Sequence, residues 1–207
     1  MARADTILEQ LGVATFAFLS DWSPAGFHQR LVRLAATLRD AIDPGASDDL
    51  WPQLQTLSRH QAAIGHVDQV RRAEMAVRLV KWLSSSQAPP SQSLGHAASD
   101  YMQSSSMVDV ARIALRAGDV VQPLADAYAL VLSKVADRRE DENHRFGELL
   151  VDWIKTGSTS GALLPVEEVL DRIVGPLASE VPILVVVVDG MSVSVWREIL
   201  EDLGRQN

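Results

Sequence analysis

A spacing constrains this chain more than any other feature. Up to about Ala178 its apolar residues return every three or four positions. Phe27, Leu31, Leu34 and Leu38 do so, as do Val70, Val77 and Val80, and then Val121, Leu124, Tyr128, Val131 and Val135. The tightest set is Phe146, Leu149, Leu150, Trp153 and Ile154. A helix turns once in 3.6 residues, so each set forms one stripe on one face. No comparable stretch alternates with period two, so the region is expected to be nearly all α.

Local chemistry marks the helix ends. Ser23-Pro24 reads as an N-cap followed by proline at the first helical position, where a missing N–H costs nothing. Ser106-Met107-Val108-Asp109 reads as a capping-box variant, with Asp109 in the usual Glu or Gln place. Pro165 should open another helix, with Glu167 and Glu168 in its positive first turn. Gly45, Gly118 and Gly157 stand where helices should end. "SSSQAPPSQS" (84–93) cannot stay helical through two prolines, and "TGSTSGALLP" (156–165) has the small residues of a domain linker.

The pattern changes after Glu180. Residues 182–188 of "VPILVVVVDG" are apolar on both faces and mostly β-branched. That composition suits a central strand covered on both sides, and a buried helix segment is the weaker alternative for so short a valine-rich run. Val193, Trp196, Ile199, Leu200 and Leu203 then line one helix face. The expected fold class is mainly α: a multi-helix domain over 1–157, a linker and connecting helix over 158–180, and at 181–207 a single strand and helix that begin a truncated α/β domain. With 207 residues, 47% of them hydrophobic, the chain can bury a core without staples.

In open α/β sheets ligands bind beyond the carboxyl ends of the strands, which is where Asp189 would stand. A P-loop ATPase would need G-x-x-x-x-G-K-[ST], and the glycine-rich stretch from Gly157 to Gly161 has no lysine. A dinucleotide-binding G-x-G-x-x-G is also missing, as are the extra acidic residues of a receiver domain. Two roles for Asp189 stay open. It caps the following helix, which the local residues slightly favour, or it holds a divalent cation at a rigid strand end.

The longer text bears on that choice. "ILVVVVDGMSVSVWREILEDL" resembles the opening of the PglZ domain of the alkaline phosphatase superfamily. "RADTILEQLG", "SPAGFHQRLVRLAATLRDAI", "RRAEMAVRLVKWL" and "RREDENHRFGELLVDW…LLPVEEVLDRIVGPLA" resemble the region before that domain in the same family, which serves type 2 BREX, or phage growth limitation, systems of bacteria. The resemblance implies a metal-dependent hydrolase of phosphate esters acting against phage. It places a metal-ligand aspartate on Asp189 and puts the nucleophile and remaining ligands beyond Asn207. It also implies a divalent metal, zinc, in the full-length protein, none bound by 1–207 alone, and other BREX proteins as partners. The hydroxyls of Ser192 and Ser194 follow the turn too closely to be the nucleophile, and Ser192 fits a helix cap better. The alternative function is a non-catalytic all-α protein-interaction scaffold.

Other residues point to packing. His28, His60, His66, His96 and His144 show no ligand spacing, and a loop is expected between His60 and His66. Glu140 and His144 are placed to pair on a solvated face. Trp82, Trp153 and Trp196 are expected in the core, Trp22 as a staple before a helix, and Trp51 packed. The net charge of −8, with no basic block, argues against nucleic acid. Absence of cysteine excludes disulfides and thiolate metal sites and fits a cytoplasmic protein. The longest apolar run is too short to span a membrane. Such a run, without its sheet, should pair with another copy through 182–188 or bury itself against the helices.

Overall fold

A computed structural model describes residues 6–7, 10–42, 49–85, 91–156 and 163–205. Its labelled helices are α1 (Pro24–Asp40), α2 (Leu50–Arg59), α3 (Val67–Ser84), α4 (Leu94–Asp100), α5 (Ser106–Arg116), α6 (Gln122–Thr156), α7 (Gly175–Ala178) and α8 (Val193–Arg205). The chain divides into two units. One comprises 1–87 with 108–141, the other 88–107 with 142–207.

The first unit holds the core. Phe27, Leu31, Leu34 and Leu38 of α1 are buried, as are Leu54 and Leu57 of α2, and Ala73, Ala76, Val77 and Val80 of α3. Leu124, Tyr128, Val131 and Val135 bury the first half of α6. Each large aliphatic side chain so placed contributes roughly 1.5–3 kcal/mol of transfer free energy. The periodicity of α1, α3 and α6 therefore predicts the buried faces of this unit correctly.

The expected start of α1 is also present. The Ser23 hydroxyl accepts the Gly26 N–H at 3.2 Å, and Pro24 takes the first helical position. A 3₁₀ turn, Ala14–Leu19, crosses this end so closely that a Cβ on Gly26 would lie 2.5 Å from the Ala17 carbonyl oxygen. Only glycine leaves room for that crossing. At the other end of the unit, Gly118 has φ +67° and donates its N–H to the Leu115 carbonyl at 3.0 Å, closing α5 as expected. Gly45 and Gly157 lie outside the described residues, as does most of the 156–165 linker.

Polar side chains join the helices where apolar contact stops. The Arg138 guanidinium sits 3.9 Å from the Trp82 ring centroid and donates to the Trp82 carbonyl at 2.6 Å, fastening α6 to α3. Arg139 reaches Asp109 of α5 at 3.3 Å. Asp109 is thus an ion-pair partner. Ser106 is not an N-cap, because the helix runs into it from α4 through a wide π turn, Tyr101–Ser105, and its hydroxyl donates to the Met102 carbonyl at 3.3 Å. The expected capping box is corrected accordingly.

In the second unit, Ser93 caps α4 by accepting the His96 N–H at 3.3 Å. Pro165 precedes the turn Val166–Glu168, with Glu167 and Glu168 where the helix end is positive. Few side chains are buried. Phe146, Leu150 and Ile154 of the tightest sequence stripe lie on the surface, and Trp196 is exposed as well. Trp22 and Trp51, on the first unit, are exposed too, so packing is corrected for these tryptophans.

The fold class needs the largest correction. The described residues are 79% helical and contain no β-strand, which makes the described chain all-α. Residues 182–188 take up no regular secondary structure: a strand exists only through hydrogen bonds to a neighbour, and no strand is present among the described residues. The predicted single strand opening an α/β domain is therefore absent there. The apolar run predicts a strand and a covering sheet, and neither is present among the described residues.

Candidate functional site

The apolar stretch 182–188 ends in a turn. Asp189 and Gly190 make it, with Gly190 at φ +70°, a conformation that side chains disfavour. Soon afterwards α8 begins, and Ser192 is its cap: its hydroxyl accepts the Val195 N–H at 3.3 Å and lies 2.8 Å from the Ser194 hydroxyl. The capping duty considered for Asp189 thus falls to Ser192. Asp189 itself is exposed at the surface of the turn.

A two-cation phosphatase centre needs several oxygen and nitrogen ligands at one point. Among the described residues no three His, Asp or Glu side chains converge. Asp189 with its described neighbours does not make up such a centre, and no catalytic step is derived through a metal. The histidines occupy other places. His60 and His66 are separated by the 3₁₀ turn Gln61–Gly65, as expected, and their rings flank Phe27 at centroid distances of 5.3 and 5.1 Å. His144 approaches Glu148 at 3.5 Å, one turn beyond, rather than Glu140, its expected partner one turn before.

Two buried polar clusters in the first unit escape sequence reasoning. In one, Arg30 donates to the Phe18 carbonyl at 2.8 Å, the Thr56 carbonyl at 2.5 Å and the Asp21 carboxylate at 2.6 Å. His60 lies alongside. Burial, and then the Arg30 charge, hold its pKa below the ordinary histidine value, against the opposing pull of Asp21. In the other, the fully buried Asp119 side chain accepts from Gln69 at 2.7 Å and from the Val121 N–H at 2.9 Å, while Arg72 stands 3.6 Å from its second oxygen. Burial and the Asp119 charge push the Tyr128 phenol well above its usual pKa, so it stays a neutral hydroxyl. Arginine in the middle of an amphipathic helix reads as solvent-facing, which hides Arg30. Gly118-Asp119 is the one local signal in the sequence, a glycine stop followed by a turn-forming aspartate.

Gln69 and Arg72 also line an open depression of about 540 Å³ with His66, Val67 and Val120. Runs of exposed apolar side chains lie elsewhere, along α6 from Phe146 to Ile154 and from Val181 to Leu203. No helix among the described residues is long and apolar enough to cross a membrane. Comparison of the chain with protein-family models, with curated proteins and with solved structures gives no match.

Proposed function

We propose that this chain is a helical accessory region that binds other proteins of a bacterial anti-phage defence system, as part of a PglZ-like metal-dependent phosphate-ester hydrolase. The observation that carries the binding role is the stripe Phe146, Leu150 and Ile154 on α6, at 38, 38 and 64% exposure. Residues at i, i+4 and i+8 share a helix face, and an apolar face of that spacing is what a groove on a partner receives. Support for the defence setting comes from the quoted stretches that resemble PglZ-family text. The metal and the nucleophile are assigned in this reading to the full-length hydrolase, with Asp189 as one ligand.

Co-expression of the whole chain with the other BREX proteins tests this. The chain should capture at least one of them, and Phe146→Asp with Ile154→Asp should release it while helical circular dichroism is unchanged. The chain alone should not turn over a phosphomonoester with zinc or magnesium. Capture of none of these proteins overturns the accessory role. Metal-dependent turnover abolished by Asp189→Ala overturns the non-catalytic part. The second reading, an all-α scaffold outside defence, is favoured by the same exposed stripe and predicts stripe-dependent capture of proteins from no BREX system.

A further inference from the structure

The segment Ala14–Trp22, which crosses the start of α1, is held down by polar side chains rather than by apolar cover. Within its 3₁₀ turn only Ala17 is buried, and Phe16, Leu19 and Trp22 are exposed at 59, 69 and 62%. Gln29 holds the first end. Its Oε1 accepts the Phe18 N–H at 3.1 Å and its Nε2 donates to the Ala14 carbonyl at 2.5 Å. Arg30 holds the rest, through the Phe18 carbonyl and the Asp21 carboxylate. The Asp21 carbonyl in turn accepts the Gln61 N–H at 2.9 Å, which ties the segment to the turn Gln61–Gly65.

His60 stands where these ties meet, 1% exposed. Its Nδ1 accepts the Ala62 N–H at 3.1 Å and so caps the same turn. A ring nitrogen that accepts carries no proton, so the neutral imidazole holds its one proton on Nε2. Nε2 is buried without a hydrogen-bond partner. A second proton can therefore enter only at Nδ1. There it sets a donor against a donor, and the Ala62 bond is lost. It also adds a positive charge beside Arg30, out of reach of screening water. Arg30 of α1 and Asp21 of the crossing segment are the charged groups that act on the ring, in opposite senses. From α3, His66 lies against the same Phe27 ring, while Asp68 of α3 and Arg59 of α2 are exposed. An imidazolium in this place gains by moving to water. The Gln61 and Arg30 ties to Asp21 are the contacts that such a move disturbs.

We propose that Ala14–Trp22 is a strap that protonation of His60 releases. When closed, it lies across the end of α1 with the Ala17 and Ser20 carbonyls against Gly26. On release one proton is taken up at Nδ1, the Gln61–Asp21 bond opens and the Gly26 end of α1 is uncovered. The helices of the unit stay folded, because the core of α1, α2, α3 and α6 is apolar.

Hydrogen exchange of the whole chain tests this, compared between about pH 7.5 and about pH 5.5 and corrected for intrinsic rates. The Phe18 and Gln61 amides make the cross-bonds and report release. With the ordinary value of 6.5 in the released state, their opening should increase up to about tenfold at the lower pH. Val77 and Leu79, deep in α3, should not change. His60→Gln should remove the increase and His66→Gln should keep it. Unaltered exchange at Phe18 and Gln61 overturns the proposal. So does an equal increase at Val77, which would mean that the whole unit opens, or an increase that survives His60→Gln. Should His60→Gln not fold, the onset in the wild type decides: an increase beginning near 6.5 supports the strap, and one beginning only below about pH 5 belongs to carboxylates and overturns it.

Discussion

At the scale of single residues, His60 links stability to pH. It is buried against Phe27 with its Nδ1 accepting the Ala62 N–H at 3.1 Å, and the fold favours its neutral form. A depressed histidine pKa means the unfolded chain takes up the proton first. Its contribution is complete above the ordinary value of 6.5 and is lost as pH falls through 6.5 towards the lower folded value. Thermal unfolding followed between about pH 7 and about pH 5.5 should show a falling Tm in the wild type. His60→Gln should flatten that slope, even if it lowers Tm throughout. An identical slope in both proteins would assign the acid sensitivity to another group. Nothing in the text around His60 marks it as a buried base. Its role depends on Arg30 and Asp21, which stand far earlier in the sequence and meet it only in the fold.

At the scale of elements, α6 shows what periodicity can tell and what it cannot. Its apolar stripe runs from Leu124 to Val135 and resumes from Phe146 to Ile154 beyond the polar run Asp137–Arg145, yet Val131 and Val135 are buried and Ile154 is 64% exposed. Repetition identifies the residues that share a face. It does not say what lies against them. Truncation should separate the two halves: Leu124→Ala, at a fully buried position, should cost about 2–5 kcal/mol, and Ile154→Ala less than about 0.5 kcal/mol. Chemical denaturation of both variants measures this, and equal losses would place a hidden partner on the second half. The stretch 182–188 misleads for the same reason in another guise. Its composition reads as a covered strand, and cover is a property of neighbours. Boundaries are more legible, because caps act over one turn. Ser23, Gly118 and Ser192 all stand where their chemistry suggests, whereas Ser106 caps nothing because the helix before it does not stop. Of the candidate site, the turn after the apolar run is readable from Asp189-Gly190, and the convergence of ligands is not.

At the scale of the whole chain, buried apolar side chains are concentrated in the unit formed by 1–87 and 108–141, while 88–107 and 142–207 bury few. Stability follows from stripes that find covers within the same unit. The recognition proposed for this chain would use the second half of the α6 stripe, whose Phe146, Leu150 and Ile154 are exposed. Substitutions on that stripe should leave unfolding of the single chain unchanged, and for that reason they are clean probes of association.

The crossing of the Ala14–Leu19 turn over Gly26 also bears on engineering. Replacing a helical glycine by alanine ordinarily gains about 1 kcal/mol. Gly147, in the middle of α6, has nothing within 4 Å of the place a Cβ would take, so alanine there should return that gain as a higher Tm. Gly26→Ala should lower Tm instead, since its methyl would meet two backbone carbonyl oxygens, at 2.5 and 2.9 Å, that no rotamer change can move aside. A consensus or design protocol that scores helix propensity alone would treat the two glycines as equivalent, and one of its two substitutions would cost the protein its N-terminal crossing.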